Sequence, residues 1–235
     1  MKGKLYLVPI PLGDCSSELV IPYDVSRIIS NLSHFIVENT RTARRYIRTM
    51  DAQKNIDKIT FFVLNKHTQA KDMESFLEPA KEGYNMGIIS EAGVPAIADP
   101  GADLVALAHE SGIEVVPLVG PSSILLSLMA SGLNGQSFTF HGYLPIKGNE
   151  RIQKLKTIEK ESHKENKTQI FMETPYRNNK MFADILKTCR KNTRLCVASN
   201  VTLNDEYIKT KTIEKWQSEE INLHKKPTVF LLLAL

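Results

Sequence analysis

The sequence contains few cysteines, and they do not have the spacing of a metal or redox site. Cys15, Cys189 and Cys196 are odd in number and form no CxxC pair, which predicts reduced thiols in an intracellular protein. No apolar run approaches the roughly 18–20 residues of a membrane-spanning helix. Pro9 and Pro11 interrupt the apolar stretch after the basic N-terminus, so no signal peptide is predicted. These absences predict a cytoplasmic protein that does not associate with membranes.

Two common phosphate-binding motifs are also missing. The sequence has neither GxGxxG nor GxxxxGK[ST]. It therefore lacks the dinucleotide fingerprint, the glycine-rich motif of the commoner Rossmann methyltransferases, and the P-loop. Any nucleotide-like ligand therefore has to be bound by loops of another kind.

Composition and charge indicate a globular protein with one basic half. The chain has 235 residues, of which 42% are hydrophobic and 24% charged, enough for one large or two small domains. Residues 1–120 contain 12 Lys/Arg and 15 Asp/Glu, whereas residues 121–235 contain 18 and 11. A basic second half favours an anionic partner, although a solvated lysine-rich surface explains the charge equally well.

Apolar segments alternating with helical patterns predict an α/β protein. Strands are predicted at Lys4–Ile10, His34–Val37 and Tyr84–Ser90, and helices at Pro22–Leu32 and Lys71–Glu82, from their β-branched content or their apolar periodicity. The first half alternates regularly, which predicts a largely parallel sheet. The second half is less regular, which predicts a mixed sheet.

Two loops rich in glycine and proline follow successive predicted strands. The first carries Gly93–Val94–Pro95 and Asp99–Pro100–Gly101, and the second is Gly120–Pro121–Ser122–Ser123. Glycine permits close backbone approach, whereas proline fixes φ and removes a donor. Ligands of open α/β sheets bind at the carboxyl ends of the strands, so these two loops predict a binding pocket.

The segments SEAGVPAIADPG and VVPLVGPSS resemble the tetrapyrrole-methylase superfamily of S-adenosyl-L-methionine (SAM) methyltransferases. Within it, the chain is most similar to the bacterial 16S ribosomal RNA ribose 2′-O-methyltransferase family. Further similar segments follow in the expected order: ENTR at 38–41, NKHT at 65–68, FTFHGYLP at 138–145 and ETPYR at 173–177. The chain departs from the family pattern at Pro11–Asp14, Asn39, Glu91 and Ser199–Asn200.

The resemblance implies a two-domain tetrapyrrole-methylase fold, with domains at 1–120 and 121–235 and a SAM cleft between them. It implies SAM as cofactor, S-adenosyl-L-homocysteine as product and no metal. The cofactor-binding residues that it implies are Pro9, Ala92, Gly93, Val94, Pro95, Ala98, Asp99, Ser122, Ser123, Met172, Glu173, Ala198, Pro227 and Thr228.

Candidate catalytic residues follow from the chemistry of methyl transfer. The acceptor oxygen needs positioning and, for a ribose hydroxyl, a proton acceptor. Glu38, Glu91 and Asp99 are the candidate acceptors; we favour Glu38, while a structural carboxylate is the alternative for each. Arg41 is a further candidate at the same strand end.

Candidate substrate-binding residues are mostly arginines. Arg41, Arg44, Arg45 and Arg48 have the spacing i, i+3, i+4, i+7 and share one helical face, which suits RNA phosphates or is simply solvated. His67 and Arg177 follow predicted strands; the alternatives are a structural histidine and a local ion pair of Arg177 with Glu173.

The sequence therefore predicts a SAM-dependent methyltransferase acting on RNA, with 16S rRNA or the 30S subunit as partner. The alternatives are another methyl acceptor, such as a tetrapyrrole-like small molecule or a protein, and a non-catalytic paralogue that binds RNA or SAM. The resemblance also implies a homodimer.

Overall fold

The computed structural model describes residues 1–64 and 68–235. Within them the chain forms two compact units, Met1–Ser122 and Ser123–Leu235. The domain boundary predicted from the sequence, between residues 120 and 121, lies two residues before this division.

The first unit has five strands and six helices among its described residues. The elements are β1 Lys4–Val8, α1 Ser17–Val20, α2 Tyr23–Asn31, β2 His34–Val37, α3 Thr40–Met50, β3 Thr60–Val63, α4 Ala70–Phe76, α5 Glu78–Lys81, β4 Met86–Ile89, α6 Gly101–Glu110 and β5 Glu114–Pro117, with a short 3-10 turn at Ile56–Lys58.

The first sheet has the order β3-β2-β4-β1-β5, and every adjacent pair is parallel. This confirms the predicted parallel sheet. Because all strands run the same way, the loops that follow β1, β2, β4 and β5 leave the sheet at one edge.

Apolar residues cover both faces of the first sheet. Successive residues of one strand alternate between two buried clusters: Phe35 and Val37 belong to one, whereas Ile36 belongs to the other. Alternation follows from the two-residue period of a strand. Burial on both faces is typical of parallel sheets flanked by helices, and it fixes the register that brings the loops together.

The prediction of one continuous helix over Lys71–Glu82 is wrong. The segment forms two helices, α4 and α5, with Pro79 in the first turn of α5. Proline has no N–H and its ring clashes with the carbonyl four residues earlier, so it interrupts a helix but suits the start of the next one. The four-residue helix α1 was not predicted.

The second unit has five strands and four helices. They are α7 Ser123–Ser131, β6 Phe138–Tyr143, α8 Gly148–Glu165, β7 Thr168–Glu173, α9 Asn178–Thr188, β8 Arg194–Ser199, β9 Tyr207–Thr212, α10 Ile213–Trp216 and β10 Thr228–Leu233.

The second sheet is mixed, as predicted. Its order is β6-β7-β10-β8-β9; β6 and β7 are parallel, and the other pairs are antiparallel. The core contains Trp216, whose indole Nε1–H donates to the Leu195 carbonyl at 2.9 Å. The buried Arg151 donates to the Asp184 carboxylate at 2.8 Å through Nε. In the described part of the chain, no helix is long and apolar enough to cross a bilayer.

Candidate functional site

The loops after β1, β4 and β5 interlock at the carboxyl edge of the first sheet. Ile10 and Gly93 form a two-way bridge, with N···O distances of 2.9 and 3.0 Å. A Cβ built on Gly120 would lie 2.1 Å from Cβ of Pro9, so the third loop also contacts the first. The Tyr46 hydroxyl of α3 donates to the Pro9 carbonyl at 2.7 Å. A Cβ built on Gly93 would lie 3.2 Å from the Pro121 carbonyl oxygen, so the two glycine-rich loops also contact each other.

The contact at Gly120 leaves no room for a side chain. Gly120→Ala should destabilise the protein by about 1–3 kcal/mol, because the added methyl must displace the Pro9 loop. Gly148→Ala is the matched control, since a Cβ there meets nothing within 4 Å. Urea unfolding of both variants measures the difference, and equal free energies of unfolding would contradict the close approach.

Asp99 holds the loop after β4 in a strained shape. Its carboxylate accepts from the Ala96 N–H at 3.0 Å and from the Gly101 N–H at 2.7 Å. Ala96 and Ala98 have positive φ values of 66° and 64°, which is uncommon for a residue with a side chain. Such strain costs about 1–3 kcal/mol per residue and concentrates at functional sites.

Three carboxylates lie on or beside this loop. Glu38, at the end of β2, accepts from the Glu91 N–H at 3.2 Å. Burial raises the pKa of Glu38, and the charges of Asp99 and Glu91 raise it further, while the hydrogen bond opposes the rise. Burial also raises the pKa of Asp99. The Thr42 hydroxyl of α3 donates to the Glu91 carboxylate at 3.4 Å.

The loop after β4 leaves no room for a ligand between itself and the sheet. Behind it lies a cavity of about 10 Å³, lined in part by Glu38, Pro95 and Asp99, which is room for about one water molecule. Ala92 and Ala98 are exposed, whereas Gly93 and Pro95 are buried. Exposed residues beside clustered carboxylates suit a cationic ligand with polar groups, because the negative charges favour a positive one. A sulfonium compound such as SAM fits that description.

Asn39 has a role that was not predicted from the sequence. It is the N-cap of α3, and its side-chain oxygen accepts from the Arg41 N–H at 2.9 Å. Asparagine before an amphipathic run is a recognised N-cap signal. This cap fixes the start of α3 directly after Glu38.

The predicted arginine face forms one open groove. Its volume is about 740 Å³, and it is lined by Thr40, Arg41, Arg44, Arg45, Arg48, Thr49 and Asp57. All four guanidinium-bearing residues are exposed. Arg44 pairs with Asp57 at 3.0 Å and lies 5.9 Å from the centroid of the Phe61 ring. We call this surface the arginine groove. His67 lies outside the described residues.

In the second unit, the predicted cofactor residues gather at one end of the sheet. Thr228 is paired with Glu173 on one side and Ser199 on the other, and its hydroxyl donates to the Ser199 hydroxyl at 3.2 Å. In the next register position, Val229 is flanked by Met172 and Ala198. The antiparallel register therefore places Met172, Glu173, Ala198 and Thr228 together, with Pro227 directly before β10.

The Glu173 carboxylate is buried, and one of its oxygens accepts two hydrogen bonds. It accepts from the Arg177 guanidinium at 2.6 Å and from the Thr174 N–H at 2.7 Å. The local ion pair of Arg177 with Glu173 is thus present, and it raises the pKa of Arg177.

Backbone strain marks this end of the second sheet as well. Asn200, Thr202 and Lys225 have positive φ values of 50°, 71° and 61°. Thr202 is β-branched, so this conformation is a genuine outlier. Among the described residues with a side chain, five of the six positive-φ positions lie beside the two groups of predicted cofactor residues; the sixth, Asn166, ends helix α8.

No three His, Cys, Asp or Glu side chains within residues 1–64 and 68–235 are arranged to hold a metal ion.

Comparison with known proteins identifies the family. Residues 4–217 match the family described as Tetrapyrrole (Corrin/Porphyrin) Methylases. The Ribosomal RNA small subunit methyltransferase I of Buchnera aphidicola subsp. Schizaphis graminum is 31% identical, over 98% of this chain and 78% of that protein. The protein of the same name from Vibrio cholerae is 32% identical, over 97% and 76%. The one from Escherichia coli O157:H7 is 30% identical, over 98% and 78%.

Two solved structures share the fold. The methyltransferase CobJ has a TM-score of 0.65 at 15% identity, over 99% of this chain and 94% of that one. The uroporphyrin-III-C-methyltransferase of Thermus thermophilus has a TM-score of 0.57 at 17% identity, over 99% and 93%. The chain therefore belongs to the tetrapyrrole methylase family and is a SAM-dependent methyltransferase.

Proposed function

We propose that the protein methylates a ribose 2′-hydroxyl of small-subunit (16S) ribosomal RNA in the cytoplasm, acting as a homodimer on the 30S subunit. The relatives named Ribosomal RNA small subunit methyltransferase I match nearly the whole chain. The structural observation that carries the proposal is the connection between β2 and α3. It places Glu38 beside the strained loop and begins the arginine groove two residues later, at Thr40. One short segment thus joins a proton acceptor to a polyanion-binding surface.

Cofactor binding is proposed for the residues of both units that the family resemblance implies. In the first unit they are Pro9, Ala92, Gly93, Val94, Pro95, Ala98, Asp99 and Ser122. In the second unit they are Ser123, Met172, Glu173, Ala198, Pro227 and Thr228. When bound, SAM supplies an electrophilic methyl group on a sulfonium. The loops supply main-chain donors and acceptors, which recognise adenine and methionine groups without a metal.

In this proposal Glu38 takes the proton of the ribose hydroxyl, because its raised pKa makes it a better base than an ordinary carboxylate. Arg41, Arg44 and Arg45 bind phosphates and orient the acceptor strand. Glu91 anchors the Glu38 carboxylate through its N–H, and Arg177 positions Glu173. A substrate contact of His67 stays a prediction.

The direct test is methyl transfer from labelled SAM to 30S subunits that lack the mark. We expect label in 16S rRNA, recovered after alkaline hydrolysis as an uncleaved dinucleotide, because 2′-O-methylation blocks cleavage at that position. Label in a ribosomal protein, label on a base, or no transfer by a protein that binds SAM would each overturn the proposal. Transfer to a tetrapyrrole under the same conditions would identify the alternative acceptor.

Asp99→Ala should weaken SAM binding about 30-fold. The variant removes the acceptor for two N–H groups, and hydrogen bonds to a charged group contribute about 1.5–3 kcal/mol each. The loop then relaxes its two strained alanines, and binding has to restore their conformation. Calorimetric titration with SAM measures the loss.

Asp103→Ala is the control for this variant, because Asp103 is an exposed carboxylate four residues further along the chain. It should bind SAM like the wild type. Asp99→Asn keeps one oxygen acceptor and should lie between the two. If Asp99→Ala and Asp103→Ala bind SAM equally, the loop after β4 is not part of the cofactor site.

A further inference from the structure

A second cavity adjoins the arginine groove. Its volume is about 480 Å³, within the usual range of about 300–1,000 Å³ for small-molecule sites. It lies between the connection from β1 to α2 and the end of α3. It is lined by Cys15, Ser16, Ser17, Glu18, Ile21, Pro22, Tyr23, Ser26, Thr49 and Met50. None of these residues belongs to the cofactor site proposed above.

The lining of this cavity suits a nucleobase better than a phosphate. Tyr23 is 80% exposed and offers an aromatic face, and single-stranded bases stack on such rings. Glu18 brings a negative charge, which repels phosphate but accepts hydrogen bonds from base amino groups or a ribose hydroxyl. Ser26 already donates to the Tyr23 carbonyl at 2.7 Å, so its oxygen is left to accept.

The arginine groove supplies the phosphate contacts that the cavity lacks. Thr49 lines both the groove and the cavity, so the two adjoin at the end of α3. Among the described residues, Arg44 alone of the four arginines has a carboxylate partner. Arg41 to Arg48 cover about 10 Å of helix at 1.5 Å per residue. That length calls for a nucleotide chain rather than a single anion.

We propose that a single-stranded nucleotide of the RNA substrate inserts its base into the Cys15–Ser26 cavity, stacked on Tyr23, while its flanking phosphates lie on the arginine groove. This inference rests on the proposed RNA function and adds a base-binding site away from the methyl-transfer loops. Selection of unpaired over paired RNA follows, because a base inside a duplex cannot reach the ring.

Cys15 is a natural reporter for this cavity. It lines the cavity and is partly exposed, whereas Cys189 and Cys196 are buried. An unstructured 12-nucleotide RNA should slow the reaction of Cys15 with a thiol reagent such as DTNB at least fivefold. Inorganic polyphosphate of similar charge should leave the rate unchanged, because it carries no base. Equal protection by polyphosphate would overturn the base-binding assignment.

Tyr23→Ala gives an independent test. It should weaken binding of the same RNA about tenfold, the scale of one base stacked on an aromatic ring, without changing the salt dependence. Tyr84→Ala, which removes an exposed tyrosine outside the cavity, should have no effect. If RNA binds and is methylated while Cys15 stays unprotected and Tyr23→Ala binds normally, this inference alone fails. If the wild type binds no RNA at 0.05 M salt, the proposed RNA function fails with it.

Discussion

Glu38→Gln is expected to reduce the rate of methyl transfer to RNA at least about 100-fold while leaving the fold intact. General-base groups typically contribute about 10²–10⁴ to a rate. Glutamine keeps the side-chain oxygen that accepts from the Glu91 N–H, so the loop stays in place while the proton acceptor is lost. Single-turnover transfer to 30S subunits measures the rate, and SAM binding should be unchanged.

The same variant should be slightly more stable than the wild type above neutral pH. The pKa of Glu38 is raised in the folded protein, chiefly by burial, so the folded state holds this proton more tightly than the unfolded chain. Ionisation of Glu38 therefore costs stability as the pH rises through its folded pKa. Glutamine removes that cost. We expect equal melting temperatures near pH 4 and a gain of about 1–2 °C at pH 8, small because solvent screens a half-exposed carboxylate.

The pH profile separates a base from a merely structural carboxylate. With Glu38 as the proton acceptor, the wild-type rate falls in acid through a pKa above the ordinary glutamate value, and Glu38→Gln loses that limb. Glu110→Gln, at an exposed position on α6, should change neither the rate nor the profile. A Glu38→Gln enzyme with the wild-type rate would show that the ribose proton leaves to another group or to water.

Local patterns predicted the elements that depend on local physics. The strand His34–Val37 has the predicted bounds, because its β-branched and aromatic residues are flanked by clear breaks. The arginine face follows from helical spacing alone. The loops after β4 and β5 could be placed at strand ends because glycine and proline cluster there.

Features that depend on tertiary structure could not be predicted in this way. The bridge between Ile10 and Gly93 joins loops far apart in sequence, and only the sheet order brings them together. Alanine and threonine are not turn signals, so the positive φ values of Ala96 and Thr202 had no local signature. The hydroxyl pair of Thr228 and Ser199 depends on the antiparallel register of β8 and β10. In each case long-range packing overrides residue preference, and these positions mark the candidate site.

Exchanging Arg41, Arg44 and Arg45 together for glutamate is expected to weaken RNA binding at least about 100-fold at 0.1 M salt. Each phosphate contact to a single strand contributes about 0.7 to the slope of log K against log salt. Losing three contacts should therefore lower the slope by about two, and the new negative charges add repulsion. Fluorescence anisotropy with a labelled 16S rRNA fragment, titrated at several salt concentrations, measures both quantities.

The control variant makes the same change in net charge at residues outside the arginine groove. Arg27, Lys71 and Lys81 are exposed residues of the same unit outside the arginine groove, and their exchange for glutamate should cost less than tenfold in affinity. An equal loss in both triple variants would mean that RNA responds to net charge and not to this groove.

Single alanine variants should rank the three arginines by how much of each guanidinium is free to bind phosphate. Arg44 already donates to Asp57 and lies over the Phe61 ring, so Arg44→Ala should lose the least affinity. Arg41 and Arg45 have no carboxylate partner among the described residues, and their alanine variants should each reduce the salt slope by nearly a full phosphate contact. The reverse order would mean that the pair with Asp57 opens when RNA binds, which frees Arg44 to act as the principal phosphate ligand.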